Sequence, residues 1–284
     1  MYYESKILNV ELKRNKIHYL PDVVYAYVPT FETSVQQLQM DILLPQSAKP
    51  LPAVILVTGG GFVASNRARC PQLRMRLAEE GYLVGSINYR TAPNSTFPQP
   101  VDDVKTAVNF LRSNAKRFNI DGEKINVIGD SAGGYLTTFV AAMNNPKINS
   151  AVNLYGVSDL TKIAADYSKE RQELHKLPSA IESLLLFGIP QFSGRVGTVF
   201  TDEKFAAAAN PINYITKNSA PMLLMHGTAD NVVSPSQTDL VFQALKSHGV
   251  DAERYIIPNA NHSDDYWIQD EVFDVIINFL NKYR

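Results

Sequence analysis

The chain has 284 residues, 45% of them apolar and 19% charged, with a formal net charge of −1. That balance allows a large core and excludes disorder as the general state of the chain. Near-neutral charge without a Lys/Arg tract argues against nucleic acid or an anionic membrane as partner, and one cysteine, Cys70, excludes an intramolecular disulfide and a Cys-based zinc site.

The N-terminal stretch lacks the apolar core of a signal peptide, and no apolar run approaches the ~18 residues of a membrane span; the expectation is a soluble, cytoplasmic protein. Residues 5–45 read as short β segments broken by turns, with Leu38, Met40 and Ile42 alternating as in a strand. Lys49 to Pro52 is a turn. Ala53–Val57 is wholly apolar and ends in Gly59-Gly60-Gly61, as suits a strand buried on both faces. Tyr82–Tyr89 reads as the next strand. Val101, Val104, Val108 and Leu111 then share one helical face. Ile125–Gly129 is strand and Ala132–Met143 helix; Ala151–Gly156 and Pro221–Gly227 are strands. Ser234-Pro235-Ser236-Gln237 opens a helix with Ser234 as N-cap and Pro235 at the first position, and that helix stops at Gly249. Glu253–Pro258 is strand, and Ile268, Val272, Ile276 and Leu280 mark a last amphipathic helix. Such alternation predicts a mostly parallel sheet with helices on both faces.

One stretch breaks the rhythm. Tyr155 to Pro221 is about twice the ~30 residues of a minimal strand-helix-strand unit. It reads as a cap-like insertion at about 158–210, lying over the carboxyl ends of the strands, where such sheets bind ligands. The expected organisation is one domain over residues 1–284, with β segments at about 1–45.

Within "NVIGDSAGGYL" a strand breaks at Gly129-Asp130-Ser131-Ala132-Gly133 and resumes as a helix. That is G-x-S-x-G, the elbow that lifts a serine hydroxyl out of a sheet, in the strand-turn-helix setting it requires. A serine needs a base, and the base an orienting carboxylate, in the chain order Ser, Asp or Glu, His. His262 lies in a polar loop between a strand and the last helix. Asp230 directly follows a buried strand upstream of it. His226 precedes the acid and reads as a packing or loop-bonding residue; His248 sits at a helix end; His175 lies in the insertion, where it could touch substrate; His18 reads as structural. Asp159 reads as a turn residue. Asp264 and Asp265 beside His262 raise a metal reading, but no second histidine stands at ligand spacing. Gly59-Gly60-Gly61, with the amide of Ala132, can supply donors to a developing oxyanion, and the absence of a following GK[ST] excludes a Walker loop.

Seven blocks in order, "TGGGFV", "SINYRTAPNSTFPQPVDDVKTAVNFLRSNAKRFNID", "VIGDSAGGYL", "LYGVSDL", "AANPINYI", "HGTADNVVSPSQ" and "PNANH", resemble the α/β-hydrolase superfamily. Within it they are similar to the hormone-sensitive-lipase-like and BD-FAE-type (feruloyl or acetyl esterase-like) carboxylesterases, from about Leu38 onward. The resemblance implies Ser131 as nucleophile, Asp230 as acid, His262 as base, and the amides of Gly60, Gly61 and Ala132 as the oxyanion hole. Two positions depart from it. Thr58 stands where a histidine usually precedes the three glycines, and Asn94 replaces a usual glutamate, which favours the feruloyl/acetyl-esterase-like group.

The expected activity is a serine carboxylesterase acting on short-chain acyl or hydroxycinnamoyl esters, without metal or cofactor. Phe62 and Phe192 are the candidate substrate contacts. A small-molecule ester is the expected partner, with homo-oligomerisation left open. A peptidase or arylformamidase of the same fold keeps the chemistry and changes the bond. A non-catalytic ligand-binding protein on this scaffold is the third reading.

Overall fold

In the computed structural model, residues 5–29, 34–92, 95–189 and 193–284 are described. Their strands are β1 (Ile17–Pro29), β2 (Val35–Pro45), β3 (Leu51–Val57), β4 (Leu83–Ile87), β5 (Ile120–Asp130), β6 (Ala151–Leu154), β7 (Met222–Gly227) and β8 (Ala252–Ile257). They form one sheet in the order β1-β2-β4-β3-β5-β6-β7-β8. β1 and β2 pair antiparallel, as do β2 and β4; all remaining neighbours are parallel.

The apolar runs explain the layers. In β3, Ala53, Ile55 and Val57 join one apolar cluster, while Val54 and Leu56 join another. The same two-residue period sends Met222 and Leu224 of β7 to the first cluster, and Leu223 and Met225 to the second. Helices α2 (Gln99–Ser113), α4 (Ala132–Met143) and α8 (Ser236–Ser247) cover the first face; α1 (Pro71–Glu79) and α9 (Asp270–Asn281) cover the other. A short helix, α3 (Ala115–Phe118), leads into β5. Between β6 and β7 lie α5 (Lys169–His175), α6 (Ile181–Phe187) and α7 (Glu203–Ala208), with 3-10 turns at Leu160–Lys162 and Pro211–Tyr214.

Several boundaries differ from the sequence reading: β3 starts at Leu51, inside the expected turn, and β5 starts at Ile120. The short N-terminal β segments are one long antiparallel ribbon, β1 with β2, whose register shifts at Leu20/Val23 and Val24/Ala26. Such irregularities break the alternation that marks a strand in sequence. Helix α8 starts at Ser236 with Pro235 at its N-cap; the Ser234 hydroxyl donates to Asp166 and accepts from Ser236 N–H at 3.3 Å. Ile268 lies outside α9 in a 3-10 turn, capped where the Asp264 side chain accepts from Tyr266 N–H. No helix among the described residues is long and apolar enough to cross a membrane.

Candidate active site

Parallel strands direct their carboxyl ends to one rim, and the site collects there. β5 ends in Gly129-Asp130, and Ser131 follows with φ 52° and ψ −119° before α4 begins. A non-glycine residue there stores about 1–3 kcal/mol of strain and persists only if its surroundings over-determine it. They do so here. Ser131 N–H donates to Leu154 C=O of β6 at 2.9 Å. A Cβ on Gly133 would overlap the Val57 carbonyl, so only glycine lets α4 sit this close to β3.

His262 lies in the loop after β8. Its Nε2 is 2.9 Å from Ser131 Oγ, and its Nδ1 is 2.8 Å from Asp230 Oδ2. Asp230 follows β7, and its Oδ1 accepts from the N–H groups of Val232 and Val233, 2.9 Å each. Its Oδ2 also stands 3.3 Å from Nε2 of the fully buried His226, which itself bonds Val233 C=O at 2.9 Å. Burial acts to raise the Asp230 carboxyl. The hydrogen bonds from His226 and His262, the neighbouring imidazole and the Val233 amide outweigh it and hold the group well below the usual carboxylate range. His226, read in sequence as a packing residue, thus also touches the acid. Tyr155 backs the base: its ring meets His262 edge-on at 4.8 Å and Trp267 at 4.3 Å.

The glycine loop lies against the elbow. A Cβ on Gly59 would come within 2.9 Å of Ser131 Cβ, so this residue type sets how closely the loop approaches the hydroxyl. Asp130 Oδ1 accepts from Gly59 N–H at 2.9 Å. The amides of Gly60, Gly61 and Ala132 donate to no acceptor among the described residues. Thr58, in the histidine's place, donates to Asn66 C=O at 3.0 Å, and Tyr89 O–H holds Thr58 C=O at 2.9 Å. Arg69 ties three loops. It donates to Gly59 C=O at 2.9 Å and Ser263 Oγ at 3.2 Å, and lies 3.5 Å from Asp130 Oδ2. Burial pushes the Asp130 carboxyl up, opposed by Arg69 and the Gly59 amide.

Other candidates fall elsewhere. Phe62 is a correction: it is 2% exposed and packs edge-on against Tyr135 at 5.2 Å, so it offers a substrate no surface. The loop turns at Phe62 (φ 64°), and the large apolar ring is buried in the core. Phe192 and Asn94 lie outside the described residues. His175 pairs with Glu182 at 2.8 Å in the insertion. His248 caps the end of α8, and His18 is exposed on β1. Asp159 caps the Leu160–Lys162 turn. Asp264 accepts from Asn261 and Tyr266 amides, and among the described residues no group of three or more His, Cys, Asp or Glu is placed to hold a metal. Sequence reasoning missed Arg69, Asp130 and Tyr155. Asp130 was visible inside the motif. Arg69 carried no signal, because the fold brings its partners together from the ends of three different strands.

The motif blocks, the sheet order and this rim agree with one family, whose model, described as BD-FAE, matches residues 40–245. The chain belongs to the BD-FAE family. Among relatives of this BD-FAE member, esterase LipC of Mycobacterium tuberculosis is 30% identical over 223 residues, covering 76% of this chain and 54% of LipC. The chain thus spans about half the length of the curated relatives it matches. Two solved structures share the fold. A truncated carbohydrate esterase from gut microbiota superposes with a TM-score of 0.80 at 22% identity, over 96% of this chain and 98% of the other. An α/β hydrolase enzyme from a Medee basin deep-sea metagenome library gives 0.65 at 17%, over 96% and 99%. The fold is that of the α/β hydrolases.

Proposed function

We propose that this BD-FAE member is a serine carboxylesterase that hydrolyses short-chain acyl or hydroxycinnamoyl esters through an acyl-enzyme. The observation that carries this reading is the relay from Ser131 Oγ through His262 to Asp230, with contacts of 2.9 and 2.8 Å. The related proteins, esterase LipC and the gut-microbiota carbohydrate esterase, point the same way.

In this mechanism Ser131 Oγ attacks the ester carbonyl carbon as its proton passes to His262 Nε2. Negative charge develops on the carbonyl oxygen, and the Gly60, Gly61 and Ala132 amides stabilise it; one such donor is worth about a hundred- to thousand-fold in rate. Asp230, held as the carboxylate, fixes the His262 tautomer and stabilises the imidazolium. Collapse breaks the C–O bond to the alcohol, which leaves with the proton from His262. A water then attacks the acyl-enzyme, giving one proton to His262, and the acid departs as that proton returns to Ser131 Oγ. The segment at 158–210 acts as a cap beside this rim.

Ser131→Ala is expected to lower kcat for p-nitrophenyl acetate by about 10⁶-fold, to the level of oxyanion stabilisation alone. Retention of more than a small percentage of wild-type turnover refutes the assignment. A parallel panel of formyl-amide and peptidyl substrates separates an esterase from an arylformamidase or a peptidase.

A further inference from the structure

A cavity of about 350 Å³ lies between α5, α6 and the loop that follows Asp230. Its position ties it to the rim. Val232 and Val233, whose amides hold Asp230, form one wall. Ile181 forms another, with its Cγ2 3.7 Å from where a Cβ on Gly61 would lie. Ile181 therefore stands between this space and the glycine loop, and the acid loop forms one of its walls. Leu174 and Leu177, both exposed, form the apolar outer edge of this open cleft.

Glu182 breaks that apolar character. Its side chain has no exposed surface and lines the cavity. His175 Nδ1 holds Oε1 at 2.8 Å; Oε2 is buried and has no hydrogen-bond partner among the described residues. The Tyr167 ring lies parallel to His175 at 6.3 Å, and its hydroxyl is likewise buried without a partner. Arg171, also on the cavity, sits over the Tyr167 ring at 4.6 Å and makes no ion pair among the described residues. A buried carboxylate oxygen without a donor is costly, and glutamine or leucine would fill the same place at lower cost. Such a group is explained when a ligand brings the missing donor.

Building on the esterase reading, we propose that Glu182, oriented by His175, is a specificity-determining residue that accepts a hydrogen bond from a hydroxyl on the substrate's arm, the rest of that arm filling the apolar cavity. Carboxylate oxygens only accept, so the arm must donate. A phenolic acyl group and a partly acylated sugar both meet the requirement.

Binding to Ser131→Ala tests this without turnover, so that failure of the esterase reading is scored separately by p-nitrophenyl acetate hydrolysis in the wild type. Titration calorimetry with methyl 4-hydroxycinnamate against methyl 4-methoxycinnamate is the first arm. The second is a monoacetylated methyl xyloside against its O-methylated counterpart. In at least one pair the hydroxyl compound is expected to bind tenfold or more tightly; the pair that shows this identifies the acyl or alcohol side as the source. Adding Glu182→Gln should shrink the ratio below about threefold, because the amide offers a weaker, neutral acceptor. Equal affinity within both pairs overturns the proposal on Ser131→Ala alone, even if the second variant does not fold. An undiminished preference in a folded Glu182→Gln variant overturns it too.

Discussion

Asp230 carries two imidazoles and two amides on one carboxylate. His262 and His226 approach Oδ2, and the Val232 and Val233 amides occupy Oδ1. Its depressed pKa has a thermodynamic consequence. The unfolded carboxyl titrates near ~3.9, so the stabilisation is fully present above about pH 4 and is lost as pH falls through the lower, folded value. Asp230→Asn is expected to cut kcat by roughly 10⁴-fold with little change in KM, since the amide no longer fixes the working tautomer. Urea unfolding of the same variant should flatten the fall in stability below pH 4. Arg69 acts at a distance from the reacting atoms, through Gly59, Asp130 and Ser263. An ångström of displacement in the glycine loop can cost about a hundredfold in rate. Arg69→Met should therefore lower kcat about 10- to 100-fold with KM within about threefold, and Arg69→Lys should recover part of the loss. The methionine variant should also move the acid limb of the kcat profile to higher pH. It removes the cation that opposes the upward push of burial on Asp130, leaving His262, the Gly59 amide, Cys70 and Tyr155 around that carboxyl. An unmoved limb and an unchanged kcat would make Arg69 a bystander.

At the scale of elements, one helix residue makes several of the bonds that hold the inserted segment. Gln237, buried on α8, accepts from Ser158 and Asp159 N–H at 2.9 Å each and donates to Lys162 C=O at 3.1 Å. Asn210 closes the other end, accepting from Leu160 N–H and donating to Asp159, both at 2.7 Å. Because α8 directly follows the acid loop, these bonds fix the segment relative to the rim. Gln237→Ala strands two amides and a carbonyl and should cost on the order of 2–5 kcal/mol, with a larger change in KM for bulky esters than for acetyl esters. Equal effects on both ester classes would separate the anchor from substrate fit. This mode of attachment is why the segment could be delimited in sequence but not folded from it. Helices of six or seven residues carry little periodicity, and the segment's anchoring bonds from Ser158 and Asp159 run to Gln237, 79 and 78 positions away. The strands β3 and β7 were legible because a strand buried on both faces is a nearly continuous apolar run. The candidate relay was legible for another reason: the elbow's glycines are a local signal and the acid and base follow it in a set chain order, whereas Tyr155, Arg69 and Glu182 matter only through neighbours that the fold supplies.

At the scale of the whole molecule, the two faces of the sheet do different work. The face covered by α2, α4 and α8 includes the elbow helix, and buried residues of the inserted segment join its cluster, so packing there bears directly on the rim. The opposite face, under α1 and α9, reaches the site through Tyr155, whose ring meets His262, and through Trp267, whose Nε1 donates to Asn261 C=O at 2.8 Å beside His262. Truncation deep in that second layer should therefore separate stability from catalysis. Leu280 has no exposed surface and lies in the last turn of α9. Leu280→Ala should cost about 2–5 kcal/mol, the range for a buried leucine that leaves a cavity, and lower Tm by roughly 5–15 °C for a chain of this size. At 25 °C, well below the transition, kcat should stay within twofold of wild type. A matching loss of kcat in protein that remains folded at that temperature would mean that the far layer sets the position of His262, and that the rim is not mechanically independent of the face behind it.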